Sequence, residues 1–112
     1  MKLAFTIQHF GRADRFKIVE LNEVDFSRTY LDDRLAAPRL DDSCGEHEHL
    51  RERAAILADV DVLFAAKVGG FAYNLLSNAG IQVLEQVGEV DALLDGYVKY
   101  LQRPKFTGLR KT

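Results

Sequence analysis

The sequence predicts an α/β domain built on a mixed sheet. Three observations carry this expectation. An apolar-alternating pair of segments early in the chain reads as an antiparallel hairpin. After it, helical and strand-like segments alternate, which is the signature of crossover units on a sheet. The 112 residues are 47% hydrophobic and 29% charged, which is too apolar for a disordered chain and enough for one core.

The elements follow in order. Residues 2–8 alternate loosely, with Leu3, Phe5 and Ile7 on one face, and predict a first strand. "RFKIVEL" at 15–21 predicts a second strand and "VDFSRTYLD" at 24–32 a third, joined tightly at Asn22-Glu23. From Asp33 to Gly45 periodicity disappears around Pro38, and a loop is expected that is mobile without ligand. Ser43 then caps a first helix, with Glu46 completing the capping box and Leu50, Ala54 and Leu57 forming the buried stripe. "DVLFAAKV" at 61–68 is an apolar run that suits a fully buried strand. "FAYNLLSNAG" predicts a second helix stopped by Gly80, "IQVLEQV" a short strand, and "VDALLDGYVKYLQR" a last helix ending before Pro104. Residues 2–7 and 62–66 should form the middle of the sheet, and Phe5, Ile7, Ile18, Leu57, Val62, Phe64 and Leu76 should be core. The domain is expected to span 1–102, followed by a basic tail at 103–112.

Composition narrows the function. A net charge of −2, with no basic stripe, argues against nucleic acid as a partner. No apolar run approaches the roughly 20 residues needed to span a bilayer, and "MKLAFTI" is too short for a signal peptide. A single cysteine rules out an internal disulfide. No membrane partner is expected; the cytoplasm is the expected compartment and a monomer or weak dimer the expected state.

Two phrases concentrate the chemistry. "DDSCGEHEHL" at 41–50 holds the sole cysteine and two of the three histidines. With Ser43 as cap, Cys44 opens the helix and His47 lies three residues on, along the same face. The positive end of a helix favours the thiolate, and a thiolate beside an imidazole is a half-site for a soft metal or an iron–sulfur species. His49 replaces His47 if the helix starts later. One Cys-x-x-His supplies two of the four ligands of a structural zinc, whereas a three-ligand catalytic zinc would recruit His9. Alternatively, the cysteine is a small buried hydrophobe and the histidines lie on the surface. "HFGRADRF" at 9–16 joins His9 to Arg12 and Arg15, and guanidinium groups suit anions. "KVGGFAYN" sets Lys67 at the end of the buried strand, with Gly69 and Gly70 before a helix, either as an anion cradle or as a plain turn.

In that order, "HFGRADRF", "CGEHEHL", "ILADVDVLFAAKVGG" and "LLSNAGIQV" resemble the dinitrogenase iron–molybdenum cofactor-binding family, whose members include NifX, the core of NafY and the C-terminal domain of NifB. The likeness covers nearly the whole chain, and His-Phe-Gly-Arg is its most specific part. It implies a ribonuclease H-like, three-layer α/β/α fold with a five-stranded mixed sheet. It also implies a carrier, not an enzyme, that binds an iron–molybdenum cofactor or iron–sulfur precursor cluster. Nitrogenase cofactor-assembly proteins or apo-dinitrogenase would be its partners. The site residues would be His9, Arg12, Cys44, His47, His49, Lys67, Gly69 and Gly70, with Cys44, His9 and His47 as metal ligands. Two features depart from the family: Ile7-Gln8 joins the first strand directly to His9, and Lys67-Val68-Gly69-Gly70-Phe71-Ala72 stands where Arg-Ile-Gly-x-Gly-Ala is usual.

Other function classes remain. A different metal–sulfur cluster, or a regulatory role outside nitrogen fixation, would suit the same residues. The ribonuclease H-like fold also hosts two-metal nucleases, but these need an acidic residue on the first strand, where this chain has Phe5, Thr6 and Ile7. A Cys-His hydrolase lacks an evident orienting Asn or Asp.

Overall fold

The computed structural model describes residues 1–36 and 48–102. Five strands, β1 (Lys2–Phe5), β2 (Arg15–Leu21), β3 (Arg28–Leu35), β4 (Val62–Phe64) and β5 (Gln82–Leu84), form one sheet in the order β3-β2-β1-β4-β5. β2 runs antiparallel to β1 and β3, whereas β4 runs parallel to β1 and β5. The sheet is therefore mixed, and β1 lies at its centre as expected. Helices α1 (Glu48–Ile56) and α2 (Gly70–Asn78) cover one face, and α3 (Val90–Leu101) covers the other. The result is a three-layer α/β/α sandwich.

The pleat explains both cores. Successive strand residues point to opposite faces, so Ala4, Ile18 and Leu63 pack beneath α1 and α2 with Leu57, Ala72 and Leu76. Leu3, Phe5, Val19, Val62 and Phe64 turn the other way, onto Leu94 and Tyr97 of α3. There the Phe5 and Phe64 rings stack with centroids 4.8 Å apart, and Tyr97 meets Phe64 edge-on at 6.1 Å.

Three expectations need correction. Ile7 is 78% exposed, because β1 ends at Phe5 and the alternation that would have buried it stops there. The third strand occupies Arg28–Leu35 rather than 24–32, so the first residues of the expected loop are strand. The displacement has a local cause. Asn22 Oδ1 accepts the Val24 and Asp25 amides at 2.8 and 3.2 Å, and Phe26 adopts φ 61°, so residues 22–27 form a loop instead of a tight turn. Phe26 still packs onto the α3-side core from that loop. The expected cap at Ser43, the Glu46 capping box, residues 37–45 of the expected mobile loop and the tail at 103–112 all lie outside the described residues.

β3 is an edge strand tied down by charge. Arg34 donates to both oxygens of Asp59, at 2.5 and 3.0 Å, and to Ile56 O at 2.9 Å. Arg34, then Lys2, hold the Asp59 carboxyl well below the usual carboxylate range. On the opposite face Arg28 reaches Asp91 and Asp95 of α3. A bulge at Leu31 and the run Asp32-Asp33-Arg34 that follows interrupt the edge, devices that discourage pairing with another chain.

Candidate functional site

The parallel pairing of β1 with β4 continues past both strands. The Thr6 amide donates to Phe64 O at 2.9 Å, Ala66 to Gln8 O at 3.1 Å and Phe10 to Lys67 O at 2.9 Å. This ladder carries the chain from β1 directly into a bridge between His9 and Lys67. Two side chains 58 positions apart in sequence thus flank one another at the carboxyl edge of the sheet. The short Ile7-Gln8 connection makes this possible, since the ladder would be broken by a longer loop.

Beyond His9 the chain folds into a 3-10 turn, Phe10–Arg12, in which the Arg12 amide donates to His9 O at 2.9 Å. Phe10 is buried under α1 and α2 and anchors the turn, leaving His9 and Arg12 exposed on its rim. Gly11 meets α1 closely: a Cβ there would lie 3.2 Å from Leu50 Cδ2 and 3.5 Å from His49 Nε2. The absent side chain lets the turn and the helix touch. It also places the His49 ring beside the same turn that bears His9.

Across the pocket, Glu85 accepts the Val68 amide at 2.8 Å and holds the loop after Lys67. Gly69 then opens α2, accepting the Tyr73 amide at 2.8 Å. A Cβ added to Gly69 or Gly70 would meet nothing within 4 Å, and neither residue has a positive φ. The fold itself does not demand glycine at either position; the room they leave belongs to the pocket. That pocket, about 360 Å³, is lined by His9, Gly11, Arg12, Leu50, Lys67, Gly69, Gly70, Phe71 and Ala72.

Five of the eight residues expected from sequence therefore line one concavity, and His49 lies against Gly11 beside it. Cys44 and His47 lie outside the described residues. Among the described residues no group of three or more His, Cys, Asp or Glu is placed to hold a metal ion. Sequence reasoning missed two arginines of α1. Arg51 lies over the Phe71 ring at 5.2 Å, which adds a cation at the rim. Arg53 is 1% exposed and lies beneath the turn, a burial that no local pattern announces.

A larger cleft, about 690 Å³, opens on the α3 side of the same edge and is lined by Phe5, Lys17, Asp33 and Leu93 among others. Its cations are already engaged: Arg15 lies 3.7 Å from Asp33, and Lys17 sits over the Tyr30 ring at 5.3 Å. It contains none of the expected site residues.

An exposed imidazole, two exposed cations and bare backbone thus share one concave edge, a combination that attracts a bulky anion able to accept a nitrogen ligand. The family model described as "Dinitrogenase iron-molybdenum cofactor" matches residues 5–100. The chain belongs to the dinitrogenase iron–molybdenum cofactor family. The match runs from the last residue of β1 to the penultimate residue of α3 and includes every residue that lines the pocket. The chain is also similar in fold to the crystal structure of PH0822, with TM-score 0.60 and 15% identity, covering 89% of this chain and 90% of that one. No curated protein matches it. Among the described residues no helix is long and apolar enough to cross a membrane.

Proposed function

We propose that this member of the dinitrogenase iron–molybdenum cofactor family is a non-catalytic carrier. Its cargo would be an iron–sulfur-based cofactor of the iron–molybdenum type, or a precursor cluster. It would pass that cargo to nitrogenase assembly proteins or apo-dinitrogenase. The observation that carries this reading is the convergence of His9, Arg12 and Lys67 on one pocket at the carboxyl edge of the sheet.

Each residue has a distinct part. His9 offers an imidazole nitrogen to iron or molybdenum, and Cys44 with His47 or His49 supplies the remaining protein ligands. Arg12 and Lys67 offset the negative charge of a metal–sulfur cluster, and Gly69 and Gly70 let it approach the backbone. Few ligands on an open rim suit a carrier, since the cargo must leave again.

The test is anaerobic reconstitution with isolated cofactor or precursor, followed by gel filtration, metal analysis and visible absorption. Parent protein should retain cluster stoichiometrically. His9→Ala and Cys44→Ala should each weaken retention about tenfold or more, and His9→Ala should leave the melting temperature nearly unchanged because His9 is exposed. Separate replacements of His47 and His49 identify which imidazole takes part. A parent that emerges free of iron and molybdenum overturns the reading.

Gly70 separates cargo binding from folding. Gly70→Ala places a better helix former at the first residue of α2 in open space. It is expected to keep or raise stability by about 0.5 kcal/mol, yet to lower cluster retention by filling the pocket. Unchanged retention would remove Gly70 from the site.

A further inference from the structure

Arg53 carries a permanent positive charge into the interior, where a guanidinium persists only if its donors are satisfied. Its Nε donates to Ala13 O at 2.8 Å, and its Nη1 to His49 O at 3.2 Å. Neither acceptor is incidental. Ala13 is the buried residue on which the Phe10–Arg12 turn closes, its amide bonded to Phe10 O at 3.2 Å. His49 lies in the first turn of α1, the end that leads back toward His47 and Cys44. Arg53 is itself part of α1, so its bond to His49 O braces the guanidinium against its own helix, while its bond to Ala13 O crosses to the turn. One side chain thereby ties the His9–Arg12 turn to the end of α1 that meets Gly11 through His49 and Leu50.

We infer that Arg53 is a positioning residue for this pocket: its buried fork fixes the spacing between the His9–Arg12 turn and the His49 end of α1, so that ligands from both elements can face one cargo. The inference rests on the carrier reading for the cargo, but the positioning itself can be read without any cargo. Planarity matters more than charge here. A lysine at 53 keeps the charge, but its donors leave one freely rotating nitrogen and cannot reproduce the fixed planar separation of Nε and Nη1.

The experiment compares the full-length parent with Arg53→Lys by NMR without ligand. It then compares their affinity for a synthetic dianionic [4Fe–4S] thiolate cluster under anaerobic conditions. Arg53→Lys should shift the His9 and His49 imidazole and Gly11 amide resonances, leave those of Gln82 and Tyr97 in place, and lower cluster affinity about tenfold. Leu94→Val, in the core on the far side of the sheet, serves as the control for lost stability and should leave both the site resonances and the affinity as in the parent. Unmoved resonances in Arg53→Lys, or a control that behaves like it, overturn the inference. Should Arg53→Lys not fold, Gly11→Ala parts the same junction from the other side and must move the same resonances and lower affinity; parent-like behaviour there also overturns it. If the parent retains no cluster, the carrier reading falls and the resonances alone decide the role of Arg53.

Discussion

Replacing Phe64 with alanine is expected to lower stability by about 3–5 kcal/mol. Phe64 ends β4, beside the central strand, paired with Phe5 on one side and Leu84 on the other. It is fully buried, stacked on the Phe5 ring with an interplanar angle of 7° and meeting Tyr97 edge-on at 83°. Truncation removes one ring from this stack and opens a void that strand pairing on both sides prevents from closing. Domains of this size hold only about 5–15 kcal/mol in all, so the variant should be marginal at room temperature. Urea unfolding should show a lower midpoint with an unchanged slope. Ile7→Ser is the counter-case. Both residues belong to the apolar pattern that sequence assigns to the core, yet Ile7 is 78% exposed and its loss should cost under about 0.5 kcal/mol. Comparable losses at the two positions would contradict the packing.

That contrast shows what was legible in the sequence. Buried strands surrounded by neighbours announce themselves: the run around Val62, Leu63 and Phe64 is apolar because both faces are covered, and β4 lies within the expected 61–68 segment, although only three of its residues are strand. β3 did not, because an uncovered edge strand has no need of an apolar face, and its residues are mostly exposed. The start of β3 was set by Asn22, whose side chain competes for two backbone amides and rounds the loop, a local effect weaker than the alternation around it. In the site, His9 and Arg12 lie three residues apart in one phrase, so the sequence alone brings them together. Lys67 joined them only through the parallel ladder, which follows once β1 and β4 are taken as adjacent. Arg53 was beyond reach. Charged residues on a short helix normally face water, and this one is buried where its guanidinium can reach a carbonyl 40 positions away.

Reversing the charge of Arg12 and Lys67 together is expected to reduce affinity for an anionic metal–sulfur cluster about a hundredfold. Both side chains are exposed on the rim of the 360 Å³ pocket. At such a rim each unit charge contributes about 0.7 kcal/mol toward an anion at about 6 Å in water, and a reversal turns that attraction into an equal repulsion. Two reversals together should cost about 3 kcal/mol, and 1.4 kcal/mol corresponds to a tenfold change in affinity. The fold should tolerate Arg12→Glu and Lys67→Glu, since the backbone of Lys67, not its ammonium, makes the bond to Phe10. Salt gives a second readout. Added salt shortens the screening length to about 3 Å at 1 M, so parent affinity should fall as salt rises, while affinity of the double variant should stay flat or recover. Lys99→Glu is the control, since Lys99 lies in the last turn of α3 on the opposite face of the sheet. It should change affinity less than about threefold, a distant exposed charge being largely screened. Equal losses from Lys99→Glu would reduce the effect to net charge. Parent-like binding by the double variant would mean that Arg12 and Lys67 do not face the cargo, and would leave the larger cleft on the α3 side as the place to look for it.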